Sequence, residues 1–144
     1  MKVMVFVKAT PNSEAGLLPS DEATQKMFTE MGKFNEDLAK AGIIQAADGL
    51  KPSSAGKRLT FTNDGHASVI DGPFAETKEL VAGFWLVQMK SMAEAKEWFS
   101  RAPFRDGEIE IRQVFESADF EPVIKTDAGR ELLAKEDEFR KQHG

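Results

Sequence analysis

The chain contains no cysteine. That single absence removes disulfides, thiolate metal sites and cysteine nucleophiles together. The lack of disulfides suits a reducing compartment, and a cytoplasmic location is expected. Histidine is nearly as scarce, with only His66 and His143. His143 is the penultimate residue, where chains are often poorly ordered, so it makes a weak catalytic candidate. Basic charge is short as well: 19 Lys and Arg against 24 Asp and Glu leave a formal net charge of −5. Affinity for nucleic acid comes largely from neutralised phosphates, and no local Lys/Arg cluster offsets the acidic balance, so no direct nucleic-acid binding is expected. The apolar run Val3–Val7 stops at Lys8, short of the roughly 7–15 residues of a signal-peptide core. No stretch approaches the ~20 apolar residues of a membrane span, so neither export nor membrane insertion is expected. No G-x-G-x-x-G follows a strand, and no Walker-type lysine or serine-hydrolase elbow is present. No cofactor is implied, and there is no internal repeat or low-complexity tract.

What is there fits one ordinary globular domain: 144 residues, 41% hydrophobic and 30% charged, long enough for a core without staples. Residues 2–8 are apolar at both parities, the pattern of a central strand buried on two faces. A loop is expected over Pro11–Pro19, with Ser20 or Asp21 as the cap of the next helix. From Asp21 to Ala41 the residues Met27, Met31, Phe34, Leu38 and Ala41 recur at spacings of four and three, an amphipathic stripe closed by Gly42. Ile43–Ala47 reads as a short strand. Arg58–Thr62 and His66–Ile70 alternate around Asn63-Asp64-Gly65, a hairpin signal. Residues 83–89 form the most hydrophobic strand. Ser91 with Glu94 predicts a capping box for a helix bearing Met92, Ala95, Trp98 and Phe99. Ile109–Phe115 is the last strand, and a final helix is expected from Thr126 to Gln142.

Leaving the hairpin aside, the order is β-α-β-β-α-β, the split βαβ arrangement of an α+β ferredoxin-like protomer. Such a sheet carries both helices on one face, and a second copy is expected to cover the other. The C-terminal helix then caps its own sheet or embraces the partner. The expected division is an α+β domain over residues 1–120 and a helical extension over 121–144.

Residues 71–79 read Asp-Gly-Pro-Phe-Ala-Glu-Thr-Lys-Glu, with four ionisable groups beside apolar Phe74. A turn needs the Gly-Pro; it does not need three carboxylates and a lysine. Clustered, partly desolvated carboxylates suit proton transfer.

This stretch, followed by Gly83-Phe84, resembles the signature of the DGPF branch of the YCII-related proteins. Ala41-Gly42, Gly49-Leu50-Lys51-Pro52-Ser53, Glu97-Trp98 with Ala102-Pro103, and Glu108-Ile109-Glu110-Ile111-Arg112 agree. The resemblance spans about residues 1–120 and implies a dimeric α/β barrel. It also implies candidate enzymes with a His–Asp pair and, for some members, an association with sigma-factor regulation. This chain departs from that pattern, having only His66 and His143, and His66 with Asp71 is the candidate pair. A regular strand puts His66, Ser68 and Ile70 on one face, so a dyad requires the chain to bend after Ile70.

The site expected from these residues has Asp71 as general base, with His66 as its candidate partner. Lys78 or Arg112 would hold an anion, Phe74 and Trp85 would wall a pocket, and Glu76 and Glu79 would lie close by. The reaction expected is a cofactor-independent lyase or isomerase step on a small molecule bound by a homodimer. The alternatives are a non-catalytic regulatory or protein-interaction module, and a signature that is purely structural. Each residue also has an ordinary role. Asp71 could bond its own downstream amides in the turn, Arg112 could pair with Glu110 or a signature glutamate, and Trp85 could belong to the core. Asp64, His66 and Asp71 have no recognised metal spacing, and no metal is expected.

Overall fold

Val3 and Val5 are completely buried at the middle of the sheet, and the rest of the fold is arranged around them. The computed structural model describes residues 1–16 and 21–143. Strand β1 (Lys2–Lys8) lies between β5 (Val81–Gln88) and β6 (Ile109–Gln113), and β2 (Ile44–Gly49) pairs with the far side of β5, giving the order β2-β5-β1-β6. All three pairings are antiparallel, with Val5 opposite Trp85 on one side and Ile111 on the other. This is the ferredoxin-like α+β arrangement, with β3 (Lys57–Phe61) and β4 (Ala67–Asp71) forming the separate hairpin.

Helices α2 (Glu22–Lys40) and α3 (Met92–Phe99) cover one face. Side chains alternate along a strand, so Val3, Val5, Trp85 and Val87 meet Phe34, Leu38, Ala95 and Phe99. Trp85 packs edge-on to Phe34 at 6.1 Å and lies 5.3 Å from Phe99, centroid to centroid. Each such aromatic pair adds roughly 0.5–1.5 kcal/mol beyond area burial. Trp98 sits at the rim of this core with the Arg101 guanidinium 4.4 Å from its ring centroid.

Several boundaries move from their expected places. Asp21 caps α2 by accepting from the Thr24 amide at 2.8 Å; Ser20 and Pro19 lie outside the described residues. The stripe of α2 is buried only in its second half, because Met27 precedes the part of the helix that reaches the sheet and is exposed. The expected loop begins with a turn of helix, α1 (Pro11–Glu14), capped by Thr10. Ser91 accepts from the Glu94 amide, but the Glu94 carboxylate reaches past the cap to the Lys90 amide at 2.7 Å. The last strand ends at Gln113, so Phe115 leaves the sheet and packs on Phe120, 5.0 Å away, in the one-turn helix α4 (Ser117–Phe120).

The other sheet face presents Met4, Phe6, Phe84 and Leu86, all partly buried, with Arg112 opposite Met4 and Glu110 opposite Phe6. Helix α5 (Asp127–His143) shares a cavity with Lys2, Met4 and Leu86 at one end of this face. No helix among the described residues is long and apolar enough to cross a membrane.

Candidate functional site

The hairpin rejoins the body of the protein through the signature stretch, and three backbone features fix that junction. Gly72 donates its amide to the Gly56 carbonyl at 3.0 Å. A Cβ on Gly72 would stand 1.7 Å from the Ser53 carbonyl oxygen, so no other residue fits without displacing backbone. The Gly72–Pro73 bond is cis. The Phe74 amide then donates to Ser53 Oγ at 3.0 Å, and the Ser53 amide donates to Glu14 Oε1 at 2.9 Å. The Ser53 hydroxyl itself donates to Glu14 Oε2. One serine thus joins α1, the turn after β2 and the signature.

Phe74 is held from the other side by Arg58, whose guanidinium lies 4.0 Å from the ring centroid and 3.4 Å from Glu76 Oε2. Such a stack on an aromatic face suits arginine more than lysine. The chain then makes a single turn over Thr77–Glu79, with the Glu79 amide on the Glu76 carbonyl, and Leu80 accepts from the Ala9 amide as β5 begins.

Asp71 is the last residue of β4, opposite Lys57, and its Oδ1 accepts from Lys57 Nζ at 2.6 Å. The pair is open to water, with the Asp71 side chain 73% exposed. His66 stands at the other end of the hairpin, beside Asp64 at 3.5 Å. The strand does not bend after Ile70 but runs on through Asp71. At ~3.4 Å per residue the two positions are about 17 Å apart, so the expected His66–Asp71 dyad does not form within one chain. Asp64, His66 and Asp71 do not converge for the same reason.

Lys78 and Glu79 are exposed and make no ion pair among the described residues. Arg112 lies on β6 with its Nε 3.7 Å from Glu110 Oε2, and Glu110 also meets Lys8 at 3.3 Å. Trp85 is 5% exposed on the helix side, its indole N–H donating to Asn35 Oδ1 at 2.8 Å. Trp85 and Arg112 occupy opposite faces of one sheet, so they cannot wall the same pocket in a single chain, contrary to the expected grouping.

A family model of the YCII-related domain matches residues 1–118 of this chain. The chain belongs to the YCII-related family. An uncharacterized protein from Rhizobium meliloti (strain 1021) is similar to it, 31% identical over 96 residues, which cover 65% of this chain and 77% of that protein. In this YCII-related protein the whole of α5 lies beyond the matched residues.

A general base must reach substrate in a site that limits access by water. Four cavities among the described residues, of about 390, 610, 460 and 310 Å³, are lined by none of residues 71–79. Trp85 does border a cleft of about 390 Å³, together with Met31, Asn35 and Phe104. Gly49 and Gly83, opposite each other across β2 and β5, line it without side chains. Ser53, Glu14, Arg58 and Lys57 are the residues that hold the signature in this YCII-related protein. No sequence signal marks them as a group, since Glu14 and Ser53 meet across 39 positions of chain.

Proposed function

We propose that this chain is a homodimeric interaction module of the DGPF branch, without turnover, and that its hairpin is the arm by which copies associate. One observation carries the reading: every residue of β3 and β4 is exposed. A two-stranded hairpin alone is marginally stable at best in water. This one also displays bulky apolar side chains. Opposed residues share a face, which gathers Leu59 and Phe61 with Val69 and Ala67. Leu59, Phe61 and Val69 are 54%, 67% and 59% exposed. Among the described residues both outer strand edges are unpaired as well, and an open edge is a template for further pairing. A second copy is the simplest occupant, because most soluble oligomers are symmetric assemblies of one chain.

On this reading the signature is a clamp. Gly72, Phe74 and Ser53 fix the base of the arm to the body, and Arg58 with Glu76 steadies it. Sedimentation equilibrium of the wild type against the triple variant Leu59→Ser, Phe61→Ser, Val69→Ser tests the proposal. The wild type is expected to be dimeric and the variant monomeric with its core intact. A wild type that stays monomeric at high concentration, or a variant that stays dimeric, overturns it.

A second reading retains proton transfer by Asp71 on a small molecule, as in a lyase or isomerase. What favours it is that Asp71 and Lys57 lie on the same face of the hairpin as Leu59 and Val69. A copy seated on that face would enclose the Lys57–Asp71 pair, supplying the exclusion of water that a single chain lacks. Thermal-shift screening of wild type and Asp71→Ala against small anionic and phenolic compounds tests this. A ligand present at 100 times its dissociation constant shifts stability by ~2.7 kcal/mol. A hit abolished by Asp71→Ala favours a site there, and hits indifferent to it exclude Asp71 as a ligand group.

A further inference from the structure

At the end of β1 away from the arm, the open sheet face has a roof of its own. Helix α5 and the one-turn α4 stand over it and leave a cavity of about 610 Å³, within the roughly 300–1,000 Å³ of small-molecule sites. Its floor is Met4 and Leu86, and its apolar wall continues through Val114, Phe115 and Ala118.

The charges at its mouth are unevenly satisfied. Arg140 is fully occupied: Nη2 lies 3.2 Å from Glu136 Oε2, and Nη1 lies 3.3 Å from Ser117 Oγ and 3.4 Å from Asp137 Oδ1. The Ser117 hydroxyl donates to Asp137 in turn. This cluster pins α5 to α4, and its two carboxylates more than balance the one guanidinium. Lys2 and Lys141 also line the cavity, and neither makes an ion pair among the described residues. Glu116 and Asp137 are the carboxylates of the lining, and Asp137 already faces Arg140. On a chain of net charge −5, the lining residues Lys2, Arg140 and Lys141 against Glu116 and Asp137 carry one positive charge in excess, with Glu136 outside the lining.

We infer that this cavity binds an amphipathic monoanion, a carboxylate on an unbranched or aromatic apolar body. The body lies on Met4, Leu86 and Phe115, and the carboxylate meets Lys2 and Lys141. Because α5 lies outside residues 1–118, the site depends on the C-terminal extension and not on the family domain alone. It is also separate from the arm. The two attach at opposite ends of β1, whose seven residues span about 20 Å.

Isothermal titration of the full-length protein with sodium decanoate, and in parallel with decan-1-ol, tests the inference. Decanoate is expected to bind one-to-one and decanol at least tenfold more weakly. Lys2→Glu combined with Lys141→Glu should weaken decanoate at least tenfold, since both attractive charges become repulsive. Ala118→Trp, at an exposed helical position, should fill the cavity and abolish binding of both ligands while the melting temperature stays near that of the wild type. The absence of decanoate binding by the wild type, or binding that survives both variants, overturns the inference.

Discussion

Gly72 lies against Ser53 so closely that a Cβ on the glycine would stand 1.7 Å from the serine carbonyl oxygen. The contact is backbone on backbone, so the neighbour cannot rotate away. Gly72→Ala is therefore expected to destabilise the protein by about 1–3 kcal/mol or more, the cost of overpacking that shifts backbone. Urea denaturation gives the value. Loss of the Phe74 amide bond to Ser53 should accompany it, seen as faster hydrogen exchange at that amide.

Asp71 is expected to matter far less to stability. Its partner Lys57 is exposed, and exposed pairs contribute ~0–1 kcal/mol. Asp71→Ala should lower stability by no more than about 1 kcal/mol and leave the oligomeric state unchanged. Denaturation and sedimentation on the same sample check both halves of the statement.

Asp21 gives the fold a pH dependence with a definite sign. The Thr24 amide donates to its carboxylate, and this bond holds its pKa below the ordinary 3.8. A group whose folded pKa is depressed contributes fully above its unfolded pKa, and that contribution is lost as pH falls through the folded value. Stability should therefore drop below about pH 4. Asp21→Ser keeps a cap that does not titrate and should flatten this part of the curve. Urea midpoints of both proteins at about pH 5.5 and about pH 3 test the difference.

Trp85 is held by its N–H bond to Asn35 as well as by packing. Trp85→Phe leaves the Asn35 oxygen without that donor and opens space beside Phe34 and Phe99, and should cost roughly 2–4 kcal/mol. Denaturation measures the cost, and the remaining fluorescence should be that of the half-buried Trp98 alone.

The fold was legible in the chain because burial writes periodicity into it. Apolar residues at both parities of Val3–Val7 placed β1 at the centre, and β5 and β6 do flank it. Asn63-Asp64-Gly65 marked the hairpin turn, where Gly65 takes φ +85°. The alternation of Leu59, Phe61 and Val69 marked strands equally well, but alternation records only that one face differs from the other. It does not say whether that face meets a core, solvent or another molecule. The signature was legible as a special stretch and much less so as a site. Its charges drew notice, whereas its position is set by Gly72, Ser53 and Glu14, which meet only once the chain has folded. Sequence distance does not show which sheet face a residue takes until the register is fixed, so the chain alone groups Trp85 with Arg112 although they lie on opposite faces.

The measurement that bears most directly on the role of the arm is amide hydrogen exchange across β3 and β4 at several protein concentrations. If the hairpin is the surface through which copies associate, exchange at Leu59, Phe61 and Val69 should slow as concentration rises through the dissociation constant, while the amides of β1 stay unchanged. Exchange in the hairpin that does not depend on concentration, over a range in which the dimer demonstrably forms, would contradict the account.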